Sequence, residues 1–321
     1  MIKHMTNRFV LALGHRCLSA KQALFRFRMK LTGNTRPSSY PYISGDSYRA
    51  LADHIHDETA SLLPENVRQG DIVFVANPRI FDYWKTFHPK ISRPYILITN
   101  NGDENADRSL SLYIDDKIIR WYAQSVLIEH PKLIPAPVGL ENLFRYQTGI
   151  GYQTGNVSFF RKMQKRLKRY PVTRKARIFY QFKVRTNPKA RQPALDYWGR
   201  HAMAETIAHK LSPRLYLRKL SQYMFVVSPP GNSEDCHRSW EALYLGVVPI
   251  VKDCVATRSF AALGLPFWVV RDWHELDGLT ENDLIQKYDT LMKMANWEPA
   301  YMDYWISQIH RDQSTTSKEP L

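Results

Sequence analysis

Cysteine is scarce: only Cys17, Cys236 and Cys254 occur in 321 residues. So few, and an odd number, exclude a disulfide framework and suit a reducing compartment. No apolar run approaches the roughly 18 residues needed to cross a bilayer as a helix. Acidic residues are missing from a long internal stretch. Between Asn142 and Leu195 there is neither Asp nor Glu, while Arg161, Lys162, Lys165, Arg166, Lys168 and Arg169 crowd together. Over the whole chain the balance is +15, which points to an anionic partner: a phosphorylated small molecule, an anionic membrane face or nucleic acid. Several motifs are also absent. There is no phosphate-binding G-x-x-x-x-G-K, no nucleophile elbow and no clear D-x-D for a metal-bound diphosphate. The stretch Asp103–Asp107 starts like a calcium loop, but Arg108 stands where glycine is required. His54-x-His56 with Asp57 is expected on a helical stretch, where positions two apart share no face. A metal-independent chemistry is therefore expected.

What is present is an alternation of short apolar runs with helical spacing. The length suits two domains. Residues 1–38 carry a basic start and a short apolar core, FVLALG, and read as a basic helix, either resting on an anionic membrane or packed on the protein body. Residues 39–150 form a first α/β unit, with a helix expected over Ser47–Leu63 and strands in Asp71–Ala76, Pro94–Thr99, Ile118–Leu127 and Lys132–Pro135. The glycine-rich QTGIGYQTG, Gln147–Gly155, is the expected linker. Residues 151–310 restart the rhythm. A basic helix over Ser158–Arg169 leads to a strand at Ala176–Phe182 and a helix through about His209. Then come a short helix at Leu215–Gln222, a strand at Phe225–Val227, a helix at Ser239–Leu245, strands at Val248–Val251 and Phe267–Val270, and a long helix over Glu281–His310. Residues 311–321 read as a disordered tail. The expectation is two α/β units in series, each a parallel sheet with covering helices, closed by a C-terminal helix.

Chemistry-bearing residues concentrate in one stretch, Tyr223–Val251, YMFVVSPPGNSEDCHRSWEALYLGVVPIV. Ligands of open α/β sheets bind beyond the carboxyl ends of the strands, so Ser228–Arg238 is expected at that edge. Pro229, Pro230 and Gly231 stop a helix there. The helix starting near His237 then offers unpaired N–H groups and a positive dipole end to a diphosphate. Arg238 adds a charged planar fork, and Glu241, one turn on, can accept both hydroxyls of a ribose. Ser228, Gly231, Asn232 and His237 frame the same loop. In the other loop, Thr186-Asn187-Pro188 suits a helix start, through capping or phosphate contact, with Arg185 and Arg191 beside it.

The apolar strand, S-P-P-G and D-C-H-R-S-W-E-A-L-Y-L-G-V-V-P-I-V resemble the donor-site signature of exostosin-like glycosyltransferases. Phe182–Arg191 is similar to the first loop of their donor domain. The resemblance is carried mainly by Ala176–Asp272, and no close match to the Y-x-T-E-K of fucosyltransferases is present. It implies a GT-B architecture, two Rossmann-like domains facing across a cleft, with Arg238 and Glu241 on the donor nucleotide. It does not identify a base. An inverting transfer needs a group to take the acceptor's proton and a dipole or cation for the departing diphosphate. Asp103, after the strand PYILIT, is the first candidate for the base and Asp46 the second, with His130 and Glu141 third. The reading is an enzyme that moves a sugar from a nucleotide sugar, its substrate rather than a cofactor, to a glycan or lipid-linked acceptor. An anionic membrane surface is an expected docking partner and the cytoplasmic side the expected location. The alternative is a non-catalytic basic protein binding membrane, glycan or nucleic acid. Thin aromatic interleaving argues against nucleic acid.

Overall fold

A computed structural model describes residues 36–143, 157–209 and 211–316 of the chain. The basic helix expected before residue 36 and the Gln147–Gly155 linker lie outside the described residues.

The first unit is a five-stranded sheet in the order β1-β2-β3-β4-β5, with every neighbouring pair parallel. Its strands are β1 (His54–His56), β2 (Ile72–Ala76), β3 (Tyr95–Asn100), β4 (Ile118–Ala123) and β5 (Leu133–Pro135). β2 and β3 are buried throughout, as parallel strands covered on both faces must be. Their alternation sorts side chains between two cores. Phe74, Ile96 and Ile98 point into one, and Val73, Val75 and Leu97 into the other.

The second unit is also parallel, in the order β10-β9-β8-β6-β7. It contains β6 (Lys175–Phe179), β7 (Ala204–Glu205), β8 (Tyr223–Val227), β9 (Val248–Lys252) and β10 (Trp268–Val270). Renumbered within the unit, this is the order 2-1-3-4-5 of flavodoxin-like folds, whose ligand crevice opens where the order reverses. Here that point lies between β6 and β8. Two Rossmann-like units thus face each other across a cleft.

Apart from a single turn at Ile80–Asp82, the helices of the described residues, named here in chain order, are α1 (Gly45–Arg49), α2 (Arg108–Ser111), α3 (Val157–Arg169), α4 (Pro188–Trp198), α5 (Pro213–Leu220), α6 (His237–Tyr244), α7 (Val255–Ala262), α8 (Glu281–Met294) and α9 (Met302–Thr316). α3 buries Phe159, Phe160 and Met163 and turns Arg161, Lys162, Lys165 and Arg166 outward. α9 returns to the first unit. The Tyr122 hydroxyl on β4 donates to Asp312 (2.6 Å), and Gln313 donates to the Gly70 carbonyl (2.9 Å). The C-terminal helix thereby closes the structure. One core cluster is common to both units, running from Phe74 and Ile98 through Trp240 and Val226 to Trp305 and Ile309. Gly139 sits where the chain leaves the first unit. Its φ is +62°, and a Cβ there would lie 2.2 Å from the Ile43 carbonyl oxygen, so only glycine fits.

Several expected elements differ. Ser47–Leu63 is not a helix: α1 is one turn and the chain then enters β1. His54 and His56 therefore do share a strand face, contrary to the helical expectation. Even so, among the described residues no three His, Cys, Asp or Glu side chains are grouped to hold a metal ion. α4 stops at Trp198, before Gly199, and Ala204–Glu205 joins the sheet edge instead of extending the helix to His209. The expected helix over Glu281–His310 is two: α8 ends at Met294, where Ala295 turns extended, and after a 3-10 turn at Glu298–Ala300 α9 starts at Met302 and runs on to Thr316. α7 was not anticipated.

Candidate active site

Between the two units lies a cleft of about 1100 Å³. Its second-unit wall is built at the β6/β8 reversal. Past β6 come Phe182, Lys183 and Thr186. Past β8 comes the run from Gly231 to Arg238, with Glu241 behind it. These are the two loops that the sequence singled out, brought side by side because β6 and β8 are neighbours in the sheet.

α6 begins at His237, and its cap residue, Cys236, supplies no side-chain acceptor to the first turn. A thiol is a poor cap, so the His237 and Arg238 N–H groups meet no side-chain cap, while Ser239 N–H donates to the Cys236 carbonyl (2.9 Å). Burial pushes the Cys236 thiol up from its usual range. It stays protonated and holds the Pro229 carbonyl (3.4 Å). The Arg238 guanidinium lies over the Phe182 ring, 6.0 Å from its centroid, a cation–π arrangement. Burial pulls its pKa down, but Tyr216, Cys236 and Glu241 outweigh that and hold it above the usual value. Its Nη1 is buried with no hydrogen-bond partner among the described residues. Burial pushes the neighbouring Tyr216 hydroxyl up to about 12. Glu241 is 7% exposed and lines the cleft one turn after Arg238. Tyr180, Ile207, Ala208 and Leu211 add an apolar slot beyond these charges. The sequence reading missed Ile207–Leu211, because it placed residues 204–209 in a helix. The signal was Gly199, which stops α4.

The two loops are tied together below the cleft. Arg191 donates to the carbonyls of Pro230 (2.8 Å) and Lys183 (3.0 Å), and the Asn187 amide donates to Gly231 O (2.8 Å). Burial, then Arg238, lowers the Arg191 pKa. Arg191 still lines the cleft. Asn187 caps α4 through Ala190 N–H (3.2 Å) and is not on the wall. Two further expected donor contacts do not reach the wall. Ser228 is 2% exposed and accepts from Ser239 behind the loop (2.9 Å), while Arg185 points to solvent.

His237 and Asp235 join the units. The His237 Nδ1 meets the Gly139 carbonyl (2.8 Å), so that nitrogen carries the proton, and its Nε2 lies 3.8 Å from Glu141. Asp235 accepts from Val138 N–H (2.8 Å) and from the Trp240 indole (2.9 Å). Burial raises its pKa to about 6 despite those bonds.

On the opposite wall, Asp103 faces the second-unit loops and accepts from the Asn232 amide across the cleft (3.0 Å). Glu104 and Glu141 flank it. His130 is not on the wall. Asp46 does not belong there either. It is 0% exposed, bound by Arg36 and by Asn101 (3.2 Å), and burial raises its pKa to about 6. Its α1 backbone is placed by the Ser44 cap, and its carboxylate holds loops together below the surface.

No protein-family profile matches the chain. Over 103 residues it is 29% identical to ribitol-5-phosphate xylosyltransferase 1 of Danio rerio, a match spanning 27% of this chain and only 24% of that relative's length. Among solved structures, α,α-trehalose-6-phosphate synthase from Burkholderia multivorans superposes over 81% of this chain and 74% of its own, at a TM-score of 0.37 and 10% identity. A spinosyn rhamnosyltransferase complexed with thymidine diphosphate does so over 76% and 69%, at 0.32 and 11%. Scores so low leave the architecture to rest on strand order and cleft: two parallel sheets, a reversal point between β6 and β8, and facing walls of opposite charge character.

Proposed function

We propose that the protein is a glycosyltransferase of the GT-B type, exostosin-like in its donor site, acting on a nucleotide sugar. One observation carries the reading. The open N-terminus of α6, the Arg238 guanidinium and the Glu241 carboxylate converge at the β6/β8 reversal and face a carboxylate-bearing wall across the cleft. The diphosphate lies against the α6 amides and Arg238. Glu241 accepts from the ribose hydroxyls, and the base enters the slot by Tyr180, Ile207 and Leu211. The xylosyltransferase and rhamnosyltransferase similarities agree with this reading without carrying it.

The reaction is a direct displacement. The acceptor oxygen forms a bond to the anomeric carbon, the bond from that carbon to the phosphate oxygen breaks, and its electron pair leaves on the nucleoside diphosphate. The acceptor's proton passes to Asp103. The positive end of α6 and Arg238 stabilise the departing charge, so the chain's own groups serve where a metal would otherwise be needed. A single displacement inverts the anomeric centre. The outward basic face of α3 supports docking on an anionic membrane, close to a glycan or lipid-linked acceptor.

The test is isothermal titration of nucleoside diphosphates into the protein and its Glu241→Ala variant. A charge-assisted hydrogen bond contributes roughly 1.5–3 kcal/mol, so affinity should fall about tenfold or more. Unchanged affinity in a folded variant would defeat the assignment.

A further inference from the structure

The two walls of the cleft differ in sign. On the second-unit side stand Lys183, Arg191 and Arg238 against two carboxylates, Asp235 and Glu241. On the first-unit side stand Glu58, Asp103, Glu104 and Glu141, with Arg36 as the sole cation among the described residues of that wall. Arg36 brings no spare charge, since its guanidinium bonds both Asp46 and Glu58. Asp103 is met by a neutral amide. The Glu104 Oε2 is buried with no partner among the described residues.

The helix starts differ in the same sense. α6 opens onto the cleft with no side-chain cap, whereas α2 is closed by Asp107, which accepts from Ser109 and Leu110 N–H, and α1 is closed by Ser44. Among the described residues, the first-unit wall therefore has no cation beyond the ion-paired Arg36, and the starts of α1 and α2 are both capped. What it has is amide groups in fixed orientation. Asn100 Oδ1 accepts the Asn101 N–H (2.8 Å), which leaves its Nδ2 as the unpartnered end. Gln124 Nε2 donates to the Gly102 carbonyl (2.7 Å), which leaves Oε1 unpartnered. Both side chains are nine-tenths buried or more, at 1% and 4% exposure, and both line the cleft. One end donates and the other accepts, the two kinds of contact that sugar hydroxyls, each with one proton and two lone pairs, can make.

We propose that this wall is the acceptor subsite for an uncharged, hydroxyl-rich glycan segment, and that it rejects acceptors carrying phosphate or carboxylate at the bound residues. The proposal rests on the glycosyltransferase reading and names its acceptor class. The carboxylates act against anions directly, because like charges brought together at an interface repel. The basic face of α3 then serves the membrane and not the bound acceptor residue.

The experiment starts by finding which nucleoside diphosphate binds the full chain. With that nucleotide saturating, binding is read on immobilised neutral oligosaccharides and on the same oligosaccharides bearing phosphate or uronate groups. Binding confined to neutral members is expected. Asn100→Ala and Gln124→Ala should each weaken it about tenfold, the loss expected for one buried hydrogen bond, with nucleotide affinity retained. Because those buried changes risk misfolding, the near-isosteric Glu104→Gln is measured alongside and should raise the affinity for phosphorylated members. Equal or tighter binding of phosphorylated or uronate members by the unaltered protein overturns the proposal, and so does binding to no neutral member. Failure to bind any nucleoside diphosphate sinks the glycosyltransferase reading instead.

Discussion

Arg238 works through shape as well as charge. Its fork lies over Phe182 and beside Tyr216 and Glu241, so a lysine there keeps the charge and loses both the stack and the paired donors. Arg238→Lys should therefore weaken nucleoside diphosphate binding about tenfold or more by titration, on the order of 1.5–3 kcal/mol. Equal affinity would show that only charge matters. Asp235 gives a pH prediction. Burial lifts its folded pKa to about 6 from 3.8, so between those values the folded state holds a proton that the unfolded chain has released. Stability from this group therefore grows as pH falls from 6 towards 4 and is lost as pH rises through 6. Urea unfolding of the protein and of Asp235→Asn at pH 4.5 and 7 should show the unaltered protein gaining relative to the variant at the lower pH. Parallel stabilities would disprove it. The place of Arg238, Glu241, Gly231 and Asn232 on the cleft wall was legible in the sequence because proline, glycine and a helix start punctuate the chain locally. Asp46 was misjudged because its burial depends on Arg36 and Asn101, which come from other loops.

At the scale of elements, α6 is left uncapped at the ligand's side. Cys236→Ser would supply the missing side-chain acceptor. Thermal unfolding should show a gain of up to about 1 kcal/mol, within the range for caps, while titration should show weaker nucleotide binding because the hydroxyl competes for the same amides. A variant both more stable and unimpaired in binding would refute the role of the open turn. The strands were legible where both faces are buried, as in β2, β3 and β8, since their apolar runs end in Asn, Gly or Pro. β1 and β7 were not. They are only three and two residues long, and such edge strands are made by pairing with β2 and β6 and not by their own pattern. The break between α8 and α9 was marked by Pro299, yet periodicity on both sides masked it.

At the scale of the molecule, the units share one core that includes Trp240 and Trp305, and α9 ties the last segment back to the first sheet. Domains joined by a large apolar interface lose their default freedom to move. Calorimetry should record one cooperative transition whose calorimetric and van't Hoff enthalpies agree. Trp240→Ala should destabilise by about 3–5 kcal/mol. Two separated transitions would contradict the shared core. The two-unit plan itself was legible from the repeated strand–helix rhythm. The sharing was not, because it depends on which faces meet.

On the glycosyltransferase reading, that common floor sets the spacing between donor and acceptor. Reactivity falls steeply when reacting atoms are misplaced by about 1 Å, so the volume of side chains such as Trp240, Phe260 and Phe267, packed together in the shared core, acts as a spacer. On that reading, trimming Phe260 or Phe267, which lie outside α6, would mistime the encounter between two bound substrates.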